Sequence, residues 1–475
     1  MNKILYNAAA RPLWGTALVV LICSLALTTA VLAQTPDVTE SQKSQPVSDG
    51  KTQSMFEQQV SNKLYIDGQV NFIFQTHPPF VAKYTGQNSL QPDYEKATSR
   101  VLTLYTGYKF NASTETLLDI EEAGGDGLST ALGVAGFPNL DVVRNPTLSQ
   151  SPYVARAMFH GVMALSKDRV EADPGPLSTF TELPARRLEI RVGKFGMVDF
   201  FDVNSVGSDS HMQFMNWAID QNGAYDFAAD TRGYTFGAIV EFQDRKWGFR
   251  FAEALMPTVA NGIDLQWNLR RARGESYEFE LHRGLLPKKD GLVRLLAYTN
   301  YANMGIYRDA INQYLEGKVA KPDITNHPLQ TTLKYGFGVN LEQALTPNVT
   351  AYGRFGWNNG KTESYAFTEI DQTFAGGVFV NGRKWARPQD RFGIAAASNA
   401  LSGDHRRYLA LGGTGFIIGD GALNYGREII IESYYTVHAW KGLYVAPDIQ
   451  YIVNPAYNRD RGPVVVPGFR LHIEL

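Results

Sequence analysis

The sequence predicts an all-β fold, a transmembrane antiparallel β-barrel of about sixteen strands with long extracellular loops and short periplasmic turns. Three observations predict it. Apolar and polar residues alternate with a period of two from Asn62 to the C-terminus. The connections between alternating segments are short and long in turn. No stretch beyond residue 33 is apolar enough for a membrane helix, and the mean hydropathy is −0.22. Barrel strands cross a bilayer while presenting polar side chains to the inside, so their average hydropathy is low.

The N-terminus reads as a signal peptide over residues 1–33. Lys3 and Arg11 precede an apolar run from Leu13 to Leu27, and Val31-Leu32-Ala33 places small residues at a cleavage site before Gln34. The run is shorter than the ~20 residues of a membrane span, and Ile22 before Cys23 does not fit a lipoprotein signal. Cys23, the single cysteine, lies inside this leader, so the processed chain has no disulfide, thiolate metal site or cysteine nucleophile. With Lys3 and Arg11 removed, 43 basic residues face 47 acidic ones, a net charge of −4. No basic stripe points to nucleic acid.

Residues 34–60, rich in Gln, Ser, Thr, Asp and Lys, read as a flexible N-terminal extension. The barrel domain is expected over 61–475. Its first strand shows the logic: Leu64, Ile66, Val70, Phe72 and Phe74 alternate with Tyr65, Asp67, Gln69, Asn71 and Gln75. Further strands are expected near 99–110, 113–121, 153–165, 187–195, 233–243, 246–256, 276–286, 290–301, 329–344, 346–358, 372–382, 390–398, 425–437, 441–453 and 463–475. Short turns fall at Asn111-Ala112, Asp244-Arg245, Pro287 to Lys289, Leu345 and near Ala439-Trp440. Between them lie long segments, including 122–152, 196–232 and 302–328. A soluble sandwich has no reason to alternate loop length by parity, whereas an outer-membrane barrel does. Segment 166–186 breaks the pattern, being long where a short turn is expected. Pro447 and Pro467 fall within strands and predict a bulge or a strand end.

The eight histidines show no metal-binding spacing. The glycine-rich run at Gly412-Gly413-Thr414-Gly415 lacks the βαβ setting of a nucleotide loop, and Gly207-Ser208-Asp209-Ser210-His211 is not a nucleophile elbow. No catalytic constellation, metal or cofactor is expected.

Several blocks along the barrel domain stand out by their residues and spacing. They are residues 187–204, with Val192-Gly193-Lys194-Phe195 and Phe201-Asp202-Val203-Asn204, followed by Gln213-Phe214-Met215-Asn216. Next come Leu292 to Asn300 and Gly305-Ile306-Tyr307. The C-terminal blocks are Tyr425-Gly426-Arg427-Glu428, Glu432-Ser433-Tyr434-Tyr435 and Pro447 to Pro455. In order and spacing these blocks resemble the carbohydrate-selective porins of the OprB type, and the resemblance spans roughly residues 60–475. It implies a sixteen-stranded barrel whose inward loops form a narrow, charged constriction for monosaccharides and similar solutes, and a family that tolerates a proline in the penultimate strand. The chain departs from many outer-membrane barrels in ending on Leu475 instead of an aromatic residue.

The implied function is passive diffusion of small carbohydrates through a water-filled, charge-lined barrel. The alternatives are a channel for another class of small nutrient, or a periplasmic or secreted β-rich glycan-binding or glycan-cleaving protein. The latter would have an apolar core in place of an apolar outer band. Expected partners are small sugars, outer-membrane lipid and the barrel-assembly machinery; the sequence leaves monomer and homotrimer open. A wall that mixes Arg donors with carboxylate acceptors suits a sugar. The pore-lining candidates on the wall are Glu115, Asp119, Arg187, Glu189, Arg191, Arg354, Glu428, Glu432 and Arg470. Segment 196–232 has six Asp against Arg232 alone, and is expected to fold into the pore and bring Asp202 or Asp209 beside Arg187 and Arg191.

Overall fold

The computed structural model describes residues 52–56, 59–60, 63–141, 150–365 and 369–475. The expected leader and residues 34–51 of the extension lie outside them.

Sixteen strands of the described chain form one closed antiparallel sheet. They are β1 (Leu64–His77), β2 (Glu95–Asn111), β3 (Thr114–Gly125), β4 (Tyr153–Ala164), β5 (Arg187–Phe195), β6 (Thr235–Gln243), β7 (Trp247–Ala254), β8 (Arg273–Leu281), β9 (Gly291–Ala302), β10 (Thr332–Thr346), β11 (Val349–Asn358), β12 (Gln372–Asn381), β13 (Arg391–Ala400), β14 (Glu428–Trp440), β15 (Leu443–Val453) and β16 (Val464–Glu474). Each pairs with its neighbour in sequence, and β16 returns to β1 from Gly468 opposite Gln75 to Glu474 opposite Gln69. Closure leaves no free edge. Among the described residues, three short α-helices decorate the loops: α1 (Trp217–Asp220), α2 (Tyr307–Leu315) and α3 (Gly403–Ala410).

Successive Cβ atoms point to opposite faces of a strand, and the two faces here invert the usual rule of burial. In β1, Asp67, Gln69, Asn71 and Gln75 are buried, while Leu64, Ile66, Phe72 and Phe74 are exposed. The same holds around the barrel, where Leu104, Ile120, Ile190, Leu295, Phe337, Ile394, Ile431 and Phe469 all face outward. Such a continuous apolar band matches hydrocarbon, not water.

Bulges adjust three of the short turns. Phe110, Leu345 and Ala439 are skipped in the pairing of β2 with β3, β10 with β11 and β14 with β15. Leu345 and Ala439-Trp440 are therefore strand residues; the turns themselves are Pro347-Asn348 and Lys441-Gly442. A bulge inserts one residue without ending a strand, which moves each turn beyond its expected place.

The two prolines also behave differently from expectation. Neither bulges nor ends its strand, and β15 pairs with β16 in one unbroken register through Pro447 opposite Phe469 and Ile449 opposite Pro467. Each interrupts pairing on its other side, where the missing N–H would have donated. The β14–β15 ladder skips from Tyr434–Asp448 to Val437–Val445, and β16 stops pairing with β1 at Gly468.

An apolar core exists as well as the apolar outer band. It sits inside the barrel and is built largely by loop residues such as Phe137, Phe201, Phe214, Trp217, Ile219 and Phe227.

Candidate functional site

A loop inside a barrel loses water from its backbone groups, and each buried N–H or C=O then needs a partner. Charged residues of the wall supply those partners. The Glu428 carboxylate accepts the N–H groups of Ala135 at 3.0 Å, Gly136 at 2.8 Å and Ala456 at 2.9 Å. Glu432 accepts from Met215 at 2.6 Å and Asn216 at 3.1 Å. Arg470 donates to the carbonyls of Ser210 at 2.7 Å and Gln213 at 2.8 Å. Arg354, 3 % exposed, donates to the carbonyls of Ile219, Asp202 and Gly207 and pairs with the Asp202 carboxylate at 2.6 Å. Segments 126–141 and 196–234 are thereby fastened across the lumen.

A second set of charges forms a belt along the inner wall. His160 bridges Glu115 at 2.7 Å and Glu189 at 2.8 Å. Arg187 and Arg191 both pair with Glu189, and Arg191 reaches Glu241 at 3.2 Å. Arg250 continues from Glu241 to Glu278, whose other oxygen accepts the N–H of Asp202 at 2.6 Å. Arg187, Glu189 and Arg191 thus share a face as expected, but Asp202 and Asp209 do not join them. Wall carboxylates already occupy the two arginines; Asp202 pairs with Arg354, and Asp209 accepts the N–H groups of His211 and Met212 in its own turn.

A cavity of about 470 Å³ lies between the β2–β4 wall and segment 196–234. Of the sequence-expected residues, Asp202, Asp209 and Arg354 border it. Glu115, Asp119, Arg187, Glu189, Arg191, Glu428, Glu432 and Arg470 do not; they lie behind the loops or within the belt. One side of the cavity carries residues that sequence reasoning missed. Arg156 forks onto Asp199 at 2.8 and 2.6 Å and reaches Asp119 at 3.0 Å. Glu121 accepts the hydroxyls of Tyr234, at 3.0 Å, and Tyr153. Arg232 lies 3.7 Å over the Tyr153 ring. A strict period of two puts Tyr153 and Arg156 on opposite faces. A bulge at Ala155, between the pairs Arg156–Asp119 and Val154–Ile120, turns both inward. The lining also includes a buried aromatic stack. Phe137 stacks on Trp217 with centroids 5.2 Å apart, Trp217 on Phe227 at 5.9 Å, and Tyr225 follows at 5.5 Å.

His211 and Asp141, 3.3 Å apart on two different loops, also border the cavity. Burial opposes the charge of His211, but the Asp141 carboxylate outweighs it and holds the imidazole up at about 9. Burial likewise opposes ionised Asp141, and His211 outweighs it, holding the carboxyl down at about 2. The raised His211 contributes stability that is full below its ordinary 6.5 and lost as the pH rises through about 9. The lowered Asp141 contributes stability that is full above its ordinary 3.8 and lost as the pH falls through about 2. Conductance should therefore grow noisier above pH ~9 as the loop pair separates. In the variant His211→Gln this alkaline change should vanish, and its persistence in planar bilayers would assign it to another group.

The carbohydrate-selective porin model of the OprB family matches residues 87–475. The high-pH structure of Pseudomonas putida OprB is similar at a TM-score of 0.66 and 16 % identity, over 87 % of this chain and 94 % of that one. The outer-membrane channel DcaP of Acinetobacter baumannii aligns with a TM-score of 0.45 at 9 % identity, over 87 % of this chain and 97 % of that one. No curated protein sequence matches. The closed sixteen-strand barrel, its apolar outer band and the matched family model agree, and the chain belongs to the carbohydrate-selective porins of the OprB family as an outer-membrane channel for sugars.

Proposed function

We propose that the cavity passes neutral monosaccharides and solutes of similar size by passive diffusion, with no chemical step. The observation that carries this reading is the set of opposite-charge pairs that border one cavity inside the barrel. Arg156–Asp199, Arg354–Asp202 and His211–Asp141 are opposite-charge pairs around the same space. Their mutual satisfaction leaves little net field to attract an ion, while carboxylate and guanidinium edges still exchange hydrogen bonds with hydroxyls. The Phe137–Trp217–Phe227 stack, 2–4 % exposed, belongs to the packed core and backs the cavity as a rigid apolar support. The volume falls within the roughly 300–1,000 Å³ typical of small-molecule sites.

Proteoliposomes carrying the protein should swell rapidly in monosaccharides and progressively more slowly in di- and trisaccharides. Arg156→Ala should weaken sugar block of the open-channel current severalfold and shift ion selectivity toward cations, because Asp199 and Asp119 lose their counter-ion. Equal swelling in sugars and in anionic nutrients of the same size would favour a general nutrient channel. The closed barrel is complete in one chain, so this reading works equally for a monomer and a trimer; cross-linking in membranes distinguishes them.

A further inference from the structure

Segment 165–186 joins β4 to β5 on the side of the barrel where every other connection is a tight turn or a short loop. It rises as a two-stranded hairpin, Arg169–Glu171 against Glu182–Pro184, with Val170 opposite Leu183. Its tip does not hang in the periplasm. Phe180 is 2 % exposed and packs with Val162 and Leu183, its ring edge-on to His160 at 5.6 Å. Glu115, on β3, holds the tip with both carboxylate oxygens. Oε1 accepts the Ser178 hydroxyl at 2.8 Å, and Oε2 accepts the Thr179 N–H at 2.9 Å and the Thr179 hydroxyl. The fit against the wall requires Gly107, since a Cβ there would meet the Thr179 methyl at 2.4 Å. Beyond these anchors, Pro176 and Leu177 project into the same cavity that the extracellular loops line.

We propose that this hairpin is a second, exit-side constriction, in which Pro176 and Leu177 set the size of solute that leaves toward the periplasm and Glu115 is the residue that positions them. The inference rests on the sugar-channel reading. Its chemistry differs from that of the charged lining of the cavity. The Arg156, Glu121 and Asp199 side chains exchange hydrogen bonds with a hydroxylated solute. A rim of Pro and Leu side chains offers none, so it discriminates by width and leaves the solute free to depart into water. A conduit needs such a weak last step, since binding that is tight all the way through prevents exit.

The test uses the full-length channel in proteoliposomes and planar bilayers, with the variants Leu177→Gly, Leu177→Trp and Glu115→Gln. Heat-modifiable migration on gels reports barrel assembly. Leu177→Gly should raise the rate of trisaccharide entry relative to monosaccharide entry severalfold, and Leu177→Trp should lower single-channel conductance. Glu115→Gln should move the size limit in the same direction as Leu177→Gly, a readout that a purely stabilising role would leave unmoved. A second measurement is independent of assembly efficiency. Leu177→Cys, in a chain whose only native cysteine is Cys23 of the leader, should lose conductance when a bulky thiol reagent is added to channels already open. An unchanged size limit in all three variants, or an unblocked Leu177→Cys channel after complete labelling, overturns the inference while leaving the sugar channel intact. Failure of the unaltered protein to admit any sugar overturns both.

Discussion

Replacing Arg354 with alanine should open the channel. Its guanidinium holds three carbonyls of segment 196–234 and the buried Asp202 carboxylate. Removing one partner of a buried ion pair costs about 3–5 kcal/mol, because the remaining charge is left uncompensated. That strain falls on the loop, whereas the β10–β11–β12 pairing around position 354 is made by backbone alone. The expected result is an assembled barrel with severalfold larger conductance, passage of disaccharides and weaker sugar block. Arg354→Lys keeps the charge but not the fork, and should fall between the two. Combining Arg354→Ala with Asp202→Ala removes both charges, so it should recover stability but not selectivity. Conductance and size limit equal to those of the unaltered protein would mean that Glu432, Arg470 and Glu342, which accepts the Ser205 N–H at 2.8 Å, suffice to hold the loop.

The second large effect concerns the lipid face. Phe469 lies at the middle of β16 and is 46 % exposed in the outward band. Phe469→Arg should cost about 2–4 kcal/mol at the bilayer midplane and sharply reduce the fraction of heat-modifiable barrel. Leu471 and Ile473 share its face but sit nearer the periplasmic end of the strand, so the same change there should cost less. His472, 1 % exposed and directed inward, is the control, and His472→Gln should assemble nearly normally. Equal losses at Phe469 and His472 would refute the assignment of faces.

The faces were legible before the structure because alternation is a local property. Residues 187–192 read as Arg, Leu, Glu, Ile, Arg, Val, and the pleat alone sends Glu189 and Arg191 one way and Ile190 and Val192 the other. Strand number and the parity of loop length follow from the same regularity, and the motifs around residues 187–204 and 425–455 pointed to the family. Exact turns were less legible, since a bulge at Leu345 or Ala439 shifts pairing by one residue and leaves composition unchanged.

What the wall residues do was decided only by the tertiary structure. The sequence shows that Glu428 and Arg470 face inward, but a residue facing the inside of a barrel can meet either water or a loop. Glu428 meets the N–H groups of Ala135 and Gly136, almost three hundred positions away, and Arg470 meets the carbonyls of Ser210 and Gln213. No local pattern encodes such a partnership. It arises because backbone brought out of water must find donors and acceptors, and the nearest strong ones are charges on the wall. The cavity is bordered by residues that the loops and one bulge bring forward, Arg156, Asp199, Tyr153 and Tyr234, beside Asp202, Asp209 and Arg354. The sequence by itself determined which side of each strand faces lipid, through the pleat; the three-dimensional placement of the loops determined which inward charges border the cavity and which fasten the loops around it.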